Sequence, residues 1–146
     1  MKTFESCTLV IFGAGGNLSR RKLIPALFRL EMAKRLPEQM VILGCDIAQR
    51  QRDEWLSIVS EILRPIYPQG IDETALQRFC ARLHYFAIPP GDDAAYSRLQ
   101  QMLDGNAGFP PNMVYYMAVR PADYPAIVEK MGNVGLLKQK NGWRRV

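Results

Sequence analysis

Residues 8–23 read TLVIFGAGGNLSRRKL: an apolar run, three glycines within four positions, and three adjacent cations. The β-branched and aromatic run Thr8–Phe12, closed by a glycine, has the character of a buried strand. From Leu18 to Arg35, Leu23, Ala26, Leu27, Leu30 and Ala33 recur at helical spacing. Pro25 is compatible with the first turn of a helix, so the regular helix starts as late as Ile24, with a turn before it, and Pro37 ends it. The stretch therefore predicts a strand, a glycine turn and a helix in immediate succession.

The same alternation continues outward. Met40–Leu43 is a second short apolar strand running into Gly44. Trp55, Ile58, Val59 and Ile62 line a helix that Pro65 and Pro68 close. Asp72 reads as the N-cap of a helix over Glu73–Ala81, with Leu76, Phe79 and Cys80 inward. Arg82–Ala87 is a third strand, halted by Pro89, Pro90 and Gly91. Asp92 or Asp93 opens a helix with Tyr96, Leu99, Met102 and Leu103 on its apolar face, which the segment 104–108 ends. Met113–Val119 carries no charge and is the strongest strand signal. A short helix over Pro121–Met131 follows, and Gly142–Val146 leads toward another strand. Near-continuous apolar strands alternating with amphipathic helices specify an α/β fold, a Rossmann-like doubly wound parallel sheet in three αβα layers. One dinucleotide-binding domain over residues 1–146 is expected, without repeats or linkers.

Composition narrows the function classes. The 146 residues carry a formal charge of +5 and are 48% hydrophobic. Much of the positive excess lies in three groups: Arg20, Arg21 and Lys22; Arg50 and Arg52; Arg144 and Arg145. That pattern fits local anion binding and not a nucleic-acid face. The opening MKTFESCTLV lacks the apolar core of a secretory signal and no apolar run is long enough to span a bilayer, so a cytoplasmic protein without a membrane partner is expected. Cys7, Cys45 and Cys80 have no metal-ligand spacing and read as reduced core thiols. No metal site is expected.

In a doubly wound sheet the first strand-to-helix turn carries the phosphate-binding glycines. Gly13, Ala14, Gly15, Gly16, Asn17 and Leu18 occupy it. Gly13 permits the tight exit from the strand, and Gly15 and Gly16 let backbone amides approach a pyrophosphate at the positive end of the helix. Leu18 stands where strict GxGxxG has its third glycine. The looser spacing of Gly13, Gly16 and Ser19 remains, with a small residue for close helix packing. No GxxxxGK[ST] loop and no Tyr-x-x-x-Lys pair occurs, which argues against a Walker nucleotide site and a short-chain reductase.

The longer stretch TLVIFGAGGNLSRRKLIPALFRL resembles the opening of glucose-6-phosphate dehydrogenases, whose pattern is an apolar strand, GASGDLA, a basic pair, lysine and a Leu-x-Pro-x-Leu helix. NMVYYMAVRPADYPAIV resembles the family's tyrosine-rich fourth strand and proline-capped helix, and GWRRV the lead-in to its next strand. The resemblance implies the coenzyme-binding domain of an oxidoreductase of the pentose phosphate pathway that moves hydride from glucose 6-phosphate to NADP. Gly13, Gly16, Asn17 and Leu18 match its coenzyme loop, Asn17 replacing the usual aspartate. Lys22 matches the lysine between coenzyme and sugar phosphate. The family's Glu-Lys-Pro-Phe-Gly and Arg-Ile-Asp-His-Tyr-Leu-Gly-Lys segments, the second holding the catalytic histidine, do not occur in these residues. The domain is thus incomplete relative to the full enzyme, and no catalytic residue is assigned. His84, the sole histidine, reads as an ordinary sheet residue, and the chain alone is expected to be inactive.

The end of the second strand selects the coenzyme, an acid accepting from a ribose 2′-hydroxyl and an arginine neutralising a 2′-phosphate. Here Ile47 falls at the family's arginine position and Asp46 precedes it. NADP or NAD both remain open, as does a relative acting on another sugar. Arg50 and Arg52 either restore phosphate binding or form a solvated helix face, and Asp46 either meets the ribose or caps the second helix. Pro89 and Pro90, after the third strand, are expected to border the adenine, and Ala118–Pro121 to lie toward the nicotinamide. A different class, a non-enzymatic interaction module keeping the fold, predicts a homo-oligomer joined through the sheet edge near Val146.

Overall fold

Thr8–Phe12 forms β1, buried along its whole length, and everything else is arranged about it. The computed structural model describes residues 5–106, 108–139 and 142–146. Met1–Phe4 and Ala107, on which the readings of the leader and of the turn at 104–108 partly rested, lie outside the described residues. The remaining strands are β2 (Val41–Asp46), β3 (Leu83–Ala87), β4 (Met113–Met117) and β5 (Arg144–Arg145). They form one five-stranded sheet in the order β3-β2-β1-β4-β5. Every pairing is parallel, with Phe12 level with Cys45 on one side and Met117 on the other.

The helices are α1 (Ile24–Met32), α2 (Arg52–Leu63), α3 (Glu73–Arg82), α4 (Ala94–Asp104) and α5 (Tyr124–Asn133). Alternation along β1 sends Leu9 and Ile11 to one face and Val10 and Phe12 to the other. The first pair meets Phe28 of α1, Trp55 and Val59 of α2 and Phe79 of α3. The second meets Tyr96 and Leu99 of α4, Met131 of α5 and Leu136. Helices on both faces of a parallel sheet make the expected Rossmann-like α/β architecture. Among the described residues no helix is long and apolar enough to cross a membrane.

Several boundaries differ from the sequence reading, each for a local reason. Ser19–Leu23 is not a loose turn but a single wide π turn, in which the amide of Ile24 bonds to the carbonyl of Ser19. Pro25 lacks an amide for Arg21 and its ring crowds that carbonyl, so widening the preceding turn lets one helix run into the other. The wide turn also shifts the phase of α1. Its buried face is Ile24, Leu27, Phe28 and Glu31, whereas Leu30 and Ala33 are exposed. The β2 strand runs past Gly44 to Asp46, and β4 stops at Met117 because the chain then turns across Gly13. Arg82 closes α3 and does not open β3. Asp72 caps α3 as expected, accepting from the Ala75 amide at 3.0 Å.

Candidate functional site

The carboxyl ends of β1, β2 and β4 open on a cleft of about 610 Å³ lined by the glycine loop, Asp46 and the Ala118–Arg120 segment. The loop is built to fit there. Gly13 sits at φ +81°, and a Cβ on it would lie 2.5 Å from the Ala118 carbonyl oxygen and 2.8 Å from Val119. Ala14 turns away from the cleft into the core. It leaves so little room that a Cβ on Gly44 would come within 2.9 Å of its own Cβ and 3.1 Å of the Trp55 ring. Glycine at 13 and 44 thus lets the loop, β2, β4 and α2 approach one another closely.

The loop's donors divide into two groups. Gly13 and Ala14 give their amides to the Cys45 carbonyl, at 2.9 and 3.1 Å, and Gly16 gives its amide to the Gly13 carbonyl at 2.9 Å. Gly15 gives its amide to Asp46 Oδ2 at 2.6 Å. These bonds fix the shape of the loop. The amides of Asn17, Leu18 and Ser19, the first turn of the helical stretch, meet no acceptor among the described residues. Asn17 and Leu18 line the cleft. Unpaired first-turn amides carry the positive end of the helix and favour an anion. Ser19 is fully buried, as its place in the GxxGxxS spacing requires, and its hydroxyl has no hydrogen-bond partner among the described residues.

Cations reinforce this end. Arg21 and Lys22 are exposed on the wide turn and line the cleft, while Arg20 donates through Nε to the Gly15 carbonyl at 2.6 Å. On the far wall Arg120 pairs with Asp123 at 3.2 Å. The structure therefore brings Gly13, Gly16, Asn17, Leu18, Lys22 and Asp46 together at one cleft.

Pro89 and Pro90 line a second groove, of about 500 Å³, with Ile47, Ile88 and Tyr96. It shares Val119, Arg120 and Asp123 with the first, so the two form one trough along the carboxyl edge. Between them, Cys45, Asp46, Ile47 and Ile88 frame a small, mostly apolar recess.

Asp46 does not cap α2: that task falls to Gln51 and Glu54, which form a reciprocal capping box. Its carboxylate instead takes the amides of Gly15 and of Ile47, the latter at 2.8 Å. Arg52 ties the end of α3 to β3 by donating to the carbonyls of Leu83 and Cys80, at 2.8 and 3.1 Å. Arg50 donates to the Tyr85 hydroxyl at 3.2 Å. Sequence reasoning missed Tyr85 altogether, since only the pairing of β2 with β3 brings it beside Arg50. His84 lies on the edge strand against Phe109, with ring centroids 5.3 Å apart, and outside these clefts. Burial, helped by the charge of Arg52, holds its imidazole below the usual range. The three cysteines are free thiols, and burial raises the pKa of each.

Comparison with known proteins agrees with this geometry. The sequence profile described as "Glucose-6-phosphate dehydrogenase, NAD binding domain" matches residues 10–146. A glucose-6-phosphate 1-dehydrogenase of Aggregatibacter actinomycetemcomitans is 35% identical over 145 residues, covering 97% of this chain and 29% of the relative. One from Dickeya dadantii (strain 3937) is 34% identical over 137 residues, 94% of this chain and 27% of the relative. The crystal structure of the Mycobacterium avium enzyme superimposes with a TM-score of 0.79 at 27% identity, covering 96% of this chain and 29% of that one. A glucose-6-phosphate dehydrogenase solved in complex with its substrate glucose-6-phosphate gives 0.82 at 26% identity, covering 100% of this chain and 31% of that one. The chain thus spans under a third of the length of these relatives.

Proposed function

The chain belongs to the glucose-6-phosphate dehydrogenase family, as its coenzyme-binding domain, and from that premise we propose that its trough holds a nicotinamide dinucleotide, NADP or NAD. One observation carries this reading: Asn17 and Leu18, whose amides meet no acceptor among the described residues, line a cleft flanked by Arg21 and Lys22. The fit to a diphosphate is chemical as well as spatial, because first-turn amides and side-chain cations complement two adjacent negative charges. Gly13, Gly16, Asn17 and Leu18 would hold that part of the coenzyme. Pro89 and Pro90 would border the adenine, and Ala118 and Val119 the nicotinamide. Ala14 supports the loop from beneath.

When bound, the coenzyme supplies a hydride acceptor. The chain's own residues bind and orient it and shield one side of it with the Val119 wall. In a complete protein of the family the donor is glucose 6-phosphate, and Lys22, exposed at the cleft mouth, attracts its phosphate. His84 lines neither groove, and no general base is assigned among the described residues. These residues alone therefore bind coenzyme without turning over sugar phosphate.

Calorimetric titration with NAD and NADP tests the reading. At least one coenzyme is expected to bind, and Gly16→Val, whose side chain would project beside the Gly13 carbonyl, to weaken binding about tenfold or more while the far-UV circular dichroism is retained. A folded protein that binds neither coenzyme refutes the proposal.

A further inference from the structure

Two opposite charges flank Gly15. Asp46 ends β2, and its carboxylate is fixed from both sides, Oδ2 accepting from the Gly15 amide at 2.6 Å and Oδ1 from the Ile47 amide at 2.8 Å. Turning it away would break both bonds. Each oxygen keeps a lone pair for a further donor, and the residue lines both the diphosphate cleft and the recess beside it. A carboxylate held there accepts from a hydroxyl but repels a phosphate dianion.

Arg50 approaches the same glycine. A Cβ built on Gly15 would lie 2.8 Å from Asp46 Oδ2 and 3.5 Å from Arg50 Nη1. The guanidinium is held by the Tyr85 hydroxyl at 3.2 Å and lies 5.6 Å from the centre of that ring. Tyr85 is anchored in turn, donating to the Ala48 carbonyl at 2.5 Å and packing on Trp55 with ring centroids 5.4 Å apart. Asp46 and Arg50 form no ion pair with each other. The cation is therefore braced beside the carboxylate but not consumed by it, and it keeps donors for a second anion.

Building on the coenzyme reading above, we propose that Asp46 makes this site prefer NAD and that Arg50, braced by Tyr85, is the residue through which it still accepts NADP. The two side chains act on the same ribose position in opposite senses. Ile47, 63% exposed beside them, offers neither charge.

Calorimetric titration of the wild type, Asp46→Asn and Arg50→Gln with each coenzyme separates the possibilities. Asparagine keeps an acceptor for the Gly15 amide and removes the charge, at the loss of the second oxygen that accepts from Ile47. Expected are NAD binding about tenfold tighter than NADP in the wild type, that ratio shrinking or inverting in Asp46→Asn, and NADP weakened about tenfold in Arg50→Gln with NAD nearly unchanged. Equal or tighter NADP binding by the wild type overturns the proposal, as does a ratio that neither variant moves. Should Asp46→Asn fail to fold by circular dichroism, Arg50→Gln at the half-buried Arg50 still decides, since loss of NADP alone supports the proposal and equal loss of both coenzymes refutes it. Failure of the wild type to bind either coenzyme removes the underlying coenzyme reading, a result distinct from binding with the wrong preference.

Discussion

At the scale of single residues, two positions translate directly into measurements. Gly13 is constrained twice, by a left-handed φ of +81° and by the Ala118 carbonyl where its Cβ would go. Gly13→Ala is expected to cost about 2 kcal/mol or more in urea unfolding, because backbone strain of this kind costs roughly 1–3 kcal/mol before any displacement of β4 is counted. His84 gives a pH signature. Burial holds its folded pKa below the unfolded value of about 6.5, so the unfolded chain binds the proton more readily. Its neutral form is fully tolerated above that unfolded value, and stability falls as pH drops through it toward the lower folded pKa. Chemical denaturation from pH 7.5 down to about 5 is expected to show this decline, reduced in His84→Gln. Persistence of the full decline in the variant would assign it to other groups.

At the scale of elements, the join of α1, α3 and β2 rests on a buried ion pair. Arg82 meets Glu31 at 2.8 Å, with side chains 11% and 2% exposed, and also donates to the carbonyls of Pro37 and Met40, at 2.5 and 3.0 Å. Glu31→Leu leaves the arginine buried and uncompensated, and is expected to cost about 3–5 kcal/mol. Glu31→Leu with Arg82→Met should recover part of that loss, though not all, because two carbonyls then lose their donor; a double-mutant cycle in urea measures the difference. This pair also marks the limit of what the sequence disclosed. Strand and helix order were legible because β1, β2 and β4 are apolar runs and α3 and α4 keep clean helical periods. The face of α1 was not, since an apolar stripe through Leu30 and Ala33 ignores both the wide turn imposed by Pro25 and the carboxylate that Arg82 neutralises from 51 positions away. The glycine loop was likewise legible from its place between strand and helix. The clamp of Asp46 on Gly15 was not, being a contact across 31 positions that no local pattern encodes.

At the scale of the molecule, the trough is where the two faces of the sheet meet. Its lining comes from the β1 loop and wide turn on one side and from α5, the α4 entry and the turn after β4 on the other. The two cores beneath it are separated by the sheet, with α1, α2 and α3 on one face and α4 and α5 on the other. A ligand spanning the trough therefore contacts segments anchored in both cores, and its binding energy must be lost whenever the molecule unfolds. At a coenzyme concentration about 100 times Kd the added stability is about 2.7 kcal/mol. For a chain of this size that raises Tm by roughly 5–11 °C in scanning calorimetry. Gly16→Val, with binding weakened about tenfold, should remove about half of the rise. Lys22→Ala should retain most of it, because Lys22 is exposed and is only one of several positive groups at the cleft. Equal loss of the shift in both variants would mean that the exposed lysine carries as much of the binding as the loop does.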